Sequence, residues 1–218
     1  SGTPINTHAS ASYTVMITAT DEVGVVATES LTIEVLNVND APSITNLEVA
    51  SRNILEDAPY RYLIETDDID RRVSDNSTEK VTVSVSGDLQ WLNLSDVDAE
   101  AGTALLSGTP INTHASASYT VMITATDEVG VVATELLTIE VLNVNDAPSI
   151  TNLDTAAKTI LEDATYSYLI ETDDIDRYVS TNSVEKVTVS VSGDLQWLIL
   201  SDVDAEAGTA LLSGTPIN

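Results

Sequence analysis

The chemistry this chain can offer begins with closely spaced oxygen donors. Asp67, Asp68 and Asp70 fall within four residues, and the trio returns as Asp173, Asp174 and Asp176. Carboxylates held together on one folded turn repel each other, and a hard divalent cation relieves that repulsion. Calcium takes six to eight oxygens from carboxylates, amides and carbonyls at about 2.3 to 2.6 Å. The 218 residues supply those groups in quantity, with 35 Asp and Glu against 8 Lys and Arg, a formal net charge of -27, 2 His and no Cys. Without cysteine there is no disulfide, thiolate zinc site, iron–sulfur cluster or cysteine nucleophile. So few basic residues cannot build a surface for the phosphate backbone, which excludes nucleic acid as a partner.

Other reactive groupings are weaker. His8 and His114 lie in the small polar stretch Asn-Thr-His-Ala-Ser-Ala-Ser, and serine activation by either would need an orienting third group and an oxyanion site that no motif signals. Asp96 and Asp98 imitate a glycosidase pair, but that chemistry needs two carboxyls across a sugar cleft. The expectation is therefore no enzyme. Trp91 and Trp197, each in Leu-Gln-Trp-Leu, read either as a sugar-stacking platform or as the core anchor of a sandwich, and burial is the favoured reading. Asn76-Ser77-Thr78 and Asn93-Leu94-Ser95 fit a glycosylation sequon, but Val184 and Ile199 break it one repeat on, so the matches are accidental.

The elements that must position these groups repeat. The string SGTPIN begins at Ser1, Ser107 and Ser213, a period of 106 residues, and residues 1–112 differ from 107–218 at only 12 positions. Solenoid units have periods of roughly 20 to 50 residues, whereas about 100 residues is the size of one β-sandwich. Tyr119, Val121, Ile123 and Ala125 alternate with Thr120, Met122, Thr124 and Thr126, and residues 137–142 alternate likewise, as half-buried antiparallel strands do. Runs at 60–65, 80–86 and 91–94 behave similarly between clusters of turn residues. The pattern predicts an all-β, Greek-key, immunoglobulin-like sandwich of about seven strands per 106-residue repeat. Each long strand then runs into Asn37-Val38-Asn39-Asp40-Ala41-Pro42 or Asn143-Val144-Asn145-Asp146-Ala147-Pro148, where proline must end the ladder. In that frame residues 41–146 make one complete domain, 1–40 the last strands of a preceding domain and 147–218 the opening strands of a following one. Each partial domain would expose unpaired sheet edges. The two lie at opposite ends of the middle domain in this frame, so head-to-tail strand complementation between copies is expected.

The NVNDAP linker, the Tyr119-Thr-Val-Met-Ile-Thr-Ala-Thr-Asp127 tract and Leu106-Ser-Gly-Thr-Pro110 together resemble the bacterial dystroglycan-type cadherin-like (CADG) repeats of large secreted adhesins, along the whole chain. The resemblance implies a cadherin-like fold with calcium between successive domains. Matched position by position, it implies ligands at Asp68 and Asp70, at Asp174 and Asp176, at Asp127 and Asp21, at Glu56 and Glu162 with Asp57 and Asp163 beside them, and at Asn39, Asp40, Asn145 and Asp146. The chain departs from the family where Asn37 and Asn143 replace the linker's opening aspartate, and where Thr109-Pro110-Ile111-Asn112 stands in place of an acidic Asp-Arg-Glu motif. One or two ions per linker, not three, is the expectation.

The implied function is a calcium-rigidified extender module of a bacterial cell-surface adhesin, serving adhesion or biofilm formation. Neighbouring repeats are the partners, and the location is extracellular, on the surface or secreted. A calcium-dependent carbohydrate-binding module, with either Trp91 or the tyrosines Tyr60, Tyr62 and Tyr119 facing a polysaccharide, is the alternative. No uncharged apolar run approaches the roughly 18 to 20 residues that span a bilayer, and the opening SGTPIN is no signal peptide, so any export signal is expected outside these residues.

Overall fold

Between Tyr60 and Asp67 every second side chain is buried and those between are exposed, the signature of a strand with one face on a core. The computed structural model describes residues 2–72, 79–179 and 185–217. It is all-β, the helical elements among the described residues being 3-10 turns of three or four residues. In chain order the strands are β1 (Ala11–Thr20), β2 (Val26–Val35), β3 (Ser43–Ile44), β4 (Asn53–Leu55), β5 (Tyr60–Asp67), β6 (Thr82–Gly87) and β7 (Leu92–Asp98). They continue as β8 (Thr103–Gly108), β9 (Ala117–Thr126), β10 (Val132–Leu142), β11 (Ser149–Ile150), β12 (Tyr166–Asp173), β13 (Leu198–Asp204) and β14 (Thr209–Gly214). The sequon at Asn76 lies outside the described residues. Contacts divide the chain into two units, residues 1–52, 59–109 and 118–139 in one and 53–58, 110–117 and 140–218 in the other.

The first unit holds a sandwich. One sheet has the order β3-β5-β8-β7, and β6, β9 and β10 lie side by side in the other. β5 and β8 pair antiparallel from Tyr60↔Gly108 to Glu65↔Thr103, and β6 and β9 from Thr82↔Thr126 to Gly87↔Val121. The inward residues of both sheets, among them Ile64, Leu106, Val121, Ile123, Leu137 and Ile139, are completely buried. Trp91 joins the layers. Its ring is met edge-on by Tyr60 of one sheet and Tyr119 of the other, each at 5.8 Å between centroids. Gly108 lies so close beneath Trp91 that a Cβ there would stand 2.0 Å from the Trp91 carbonyl oxygen, which is why this position carries no side chain. The same unit contains the hairpin β1–β2, paired from Ala11↔Val35 to Thr20↔Val26.

The second unit contains the sheet β11-β12-β14-β13, whose pairings repeat those of β5, β8 and β7 with residue numbers raised by 106. Tyr168, Ile170, Val189 and Ala210 form its core. Here too β4 runs parallel to the end of β10, with Val141 opposite Ile54.

Pro42 and Pro148 stand where their missing amide requires. β10 ends at Leu142, residues 143–148 form no strand, and β11 begins at Ser149; in the earlier copy β2 ends at Val35 and β3 begins at Ser43. Asp96 and Asp98 also find structural roles. Asp96 sits at φ 50° in the irregular step between Ser95 and Asp98, while Oδ1 of Asp98 accepts the amides of Glu100 and Ala101 to close the β7–β8 turn.

Candidate metal centres

In the first unit β5 ends in a 3-10 turn at Ile69–Arg72 that presents Asp68 and Asp70, almost fully buried, toward the loop after β9. The turn is fixed from both sides. Asp70 donates its amide to Oδ1 of Asp68 at 3.0 Å, and the Arg71 guanidinium donates to the carbonyls of Glu79, Ala99 and Ala101 at 3.0 to 3.2 Å. Asp127 is held in its own loop, where Oδ1 accepts the amides of Val129 and Val131. The linker closes over these groups: Asn37 and the Asp40 amide donate to the two oxygens of Asp70, and Asn39 donates to Oδ2 of Asp127 at 2.8 Å. Asp68, Glu79 and Asp127 thus bring three carboxylate oxygens within 4.8 Å of one another.

The charge state follows from this crowding. Burial, reinforced by Asp70 and Asp127, pushes the Asp68 carboxyl above the usual range. Glu79 is pushed up likewise, by burial and by Asp68, Asp70 and Asp127. Burial also acts upward on Asp127, but the Asn39 amide and the N–H groups of Val131, Gly130 and Val129 outweigh it and hold Asp127 low. Oδ2 of Asp68 is buried with no hydrogen-bond partner. An ionised carboxylate there carries a desolvation cost that the Asp70 amide and the Arg71 charge offset only in part, and a cation would offset the rest.

The second unit repeats the arrangement. Asp174 and Asp176 are buried, Asn143 and the Asp146 amide donate to Asp176, Asn112 donates to Asp146, and Asp174, Asp176 and Glu185 place carboxylate oxygens within 4.8 Å. Glu56 joins from β4's end. Its Oε1 accepts the Val144 amide at 2.6 Å, and its Oε2 is buried without a partner. Burial, with Asp176, Asp57 and Asp146 adding to it, drives its carboxyl above the ordinary range despite the Val144 bond. Asn145 lies in the same linker and donates to the Asp146 carbonyl.

The donor set is entirely oxygen, as calcium or magnesium requires, and the two orphaned carboxylate oxygens point to a cation. Asn39, Asp40, Asp68, Asp70 and Asp127 come together in one cluster, and Glu56, Asn145, Asp146, Asp174 and Asp176 in the other. Four expected ligands stand elsewhere. Asp57 and Asp163 occupy turns with φ near 60°, where they shape the backbone and donate their amides to Pro110 and Pro216. Asp21 is exposed and caps its own hairpin loop through the Val23 and Val25 amides, and Glu162 is exposed. Glu79 and Glu185 escaped the sequence reading. Each follows the first aspartate of its cluster by the same interval in both repeats, the one signal that could have found it.

No protein-family model matches this chain, and no curated protein matches it. Among solved structures it resembles the protocadherin gamma B4 extracellular domain (TM-score 0.53, 20% identity, 95% of this chain and 33% of that chain). It also resembles the extracellular cadherin domains 1–4 of protocadherin gamma B7 (TM-score 0.51, 22% identity, 95% and 49%) and PcdhgB3 EC1-4 (TM-score 0.58, 19% identity, 95% and 49%). The chain spans between a third and a half of the length of these structures. At such identities the likeness establishes the fold: these repeats are cadherin-like sandwiches.

Proposed function

We propose that the chain is a tandem-repeat extender module of a bacterial cell-surface or secreted adhesin, rigidified by calcium at its linkers. The observation that carries this reading is the buried, unpartnered Oδ2 of Asp68 beside Asp127 and Glu79, directly under the Asn37–Asp40 linker. Calcium would be held by Asp68, Glu79, Asp127 and the linker oxygens in one unit, and by Asp174, Asp176, Glu185 and Glu56 in the other. It would supply charge neutralisation and nothing catalytic. A linker locked to the sandwich by a shared ion loses its freedom to bend, which is what a spacer needs. Near-identical copies suit that role, because length requires number more than diversity. The anionic surface keeps such an array soluble and self-repelling. Its partners are neighbouring repeats of the same protein, joined head to tail, and no helix among the described residues is long and apolar enough to cross a membrane.

The carbohydrate-binding reading loses its platform, since Trp91, Tyr60, Tyr62 and Tyr119 are all buried. Calorimetric titration with calcium, together with scattering-derived length in calcium and in chelator, tests the proposal. Saturable binding with extension supports it; no heat and an unchanged length refute it.

A further inference from the structure

Glu79 and Glu185 are held where their surroundings oppose an ionised carboxylate. Burial and the charges of Asp68, Asp70 and Asp127 act against Glu79, and burial and the charges of Asp174 and Asp176 act against Glu185. A long, flexible side chain so placed lowers its energy by swinging away toward water. Yet Glu79 keeps a carboxylate oxygen within 4.8 Å of those of Asp68 and Asp127, and Glu185 keeps one as near those of Asp174 and Asp176. Something other than the carboxylates must hold each glutamate in place.

One arginine in each unit does so through the backbone. Nε of Arg71 donates to the Glu79 carbonyl at 3.1 Å, while Nη2 and Nη1 donate to the carbonyls of Ala99 and Ala101 at 3.0 and 3.2 Å. The Ala99 carbonyl also accepts the Val81 amide at 3.0 Å, so residues 79–81 are fastened to the β7–β8 turn at both ends. Arg177 makes the same bonds to Glu185, Ala205 and Ala207 at 3.2 to 3.3 Å, with the Val187 amide on Ala205. Gly102 gives the guanidinium its room: at φ 70°, a Cβ there would stand 2.8 and 2.9 Å from Nη1 and Nη2 of Arg71, and Gly208 stands in the same relation to Arg177. An arginine beside several carboxylates readily turns its fork to one of them. Here three of its donors go to carbonyls instead, and Oδ2 of Asp68 stays buried without a partner. The protein's own cation builds the site and leaves it open to another.

We infer that Arg71 and Arg177 are positioning residues of the two metal centres, each pinning the backbone of a glutamate ligand, Glu79 or Glu185, so that its carboxylate stays aimed at the ion. The inference rests on the calcium reading above and adds to it a residue that never touches the metal. Lysine cannot replace the arginine. It keeps the charge, but a single ammonium does not span carbonyls that a planar guanidinium meets along its edge. Without the clamp the glutamate retreats to solvent, and water takes its place on the ion.

The test uses the Glu185→Gln chain, in which the first cluster is the calcium class under observation, and adds Arg71→Lys to it. Calorimetric calcium affinity should fall by roughly 10- to 100-fold, as it does when a group that orients a metal ligand is lost. With trivalent europium as a luminescent stand-in for calcium, emission lifetimes in light and heavy water should show an additional water on the saturated ion. Lost packing alone would lower affinity or melting temperature and add no water. Gly102→Ala, which crowds the guanidinium without removing it, should act in the same direction, and it carries the test if Arg71→Lys fails to fold. In the Glu79→Gln chain, Arg177→Lys should do to the second cluster what Arg71→Lys does to the first. Unchanged affinity, or an affinity loss with no added water, overturns the inference and leaves the calcium reading standing. A Glu185→Gln chain that takes up neither calcium nor europium removes the calcium reading and this inference with it.

Discussion

Replacing Asp68 with Asn changes charge without changing shape, and the two metal states should respond in opposite directions. Oδ1 of Asp68 accepts the Asp70 amide, and Asn retains that acceptor. The other position, now an orphaned oxygen, becomes an N–H donor beside the carboxylates of Asp127 and Glu79. At separations within 4.8 Å and an effective dielectric near 20, each pair of ionised carboxylates repels by about 3.5 kcal/mol or more. The carboxyls relieve part of this by swinging apart and by taking up protons, which leaves a net gain of roughly 1 kcal/mol for Asp68→Asn in chelator. For a sandwich of about a hundred residues that raises the melting temperature by roughly 4 to 8 °C. In calcium the sign reverses, because the variant forfeits a ligand and with it up to about 2.7 kcal/mol of mass-action stabilisation at a hundredfold excess over the dissociation constant. Asp174→Asn makes the same change in the other cluster, so the double variant should melt at one temperature with or without calcium. Calorimetric melts of wild type, both single variants and the double variant, in calcium and in chelator, read all four states. If Asp68→Asn melts below wild type in chelator, or if the double variant retains the calcium-dependent rise, the buried oxygen is not a cation ligand.

Glu79→Gln and Glu185→Gln should each remove one class of bound calcium in a calorimetric titration and leave the other, since the two glutamates belong to different clusters. Gly108→Ala should cost about 3 kcal/mol or more, because its Cβ would meet backbone and not a movable side chain; an unchanged urea midpoint would contradict the close approach to Trp91. In chelator the protein should become more stable as pH falls from neutral toward the ordinary carboxylate range near 4. Asp68, Glu79 and Glu56 have raised values when folded, so the folded state takes up their protons first, and the stability so gained is lost again as pH rises through those values. Asp127, held low, contributes stability above the ordinary range that is lost only on further acidification. With calcium present the slope should invert, because the ligands must then be deprotonated, and parallel slopes in the two conditions would argue against metal at these groups.

Strand content, repeat length and the strand breaks ahead of Pro42 and Pro148 were legible in the sequence, because alternation and proline act locally. The gathering of Asp68, Asp70 and Asp127 was legible only through a resemblance, since nothing in their spacing brings Asp127 near the other two. Glu79 and Glu185 had only one signal in the sequence, a constant interval from the first aspartate of each cluster, and it does not by itself place them in the clusters. They reach their clusters because Arg71 and Arg177 clamp the carbonyls of Glu79 and Ala99, and of Glu185 and Ala205, a set of bonds among segments distant in sequence. Trp91 shows how a local pattern can mislead: its phase with Asn93 permits exposure, yet β7 starts only at Leu92, so Trp91 escapes the strand's alternation and its ring enters the core between Tyr60 and Tyr119. The six residues Thr-Val-Ser-Val-Ser-Gly make the division plain. Their composition gives them the capacity to be a strand wherever they occur, but they are one at 82–87, beside β9, and not at 188–193, because a strand exists only when a neighbour accepts its hydrogen bonds.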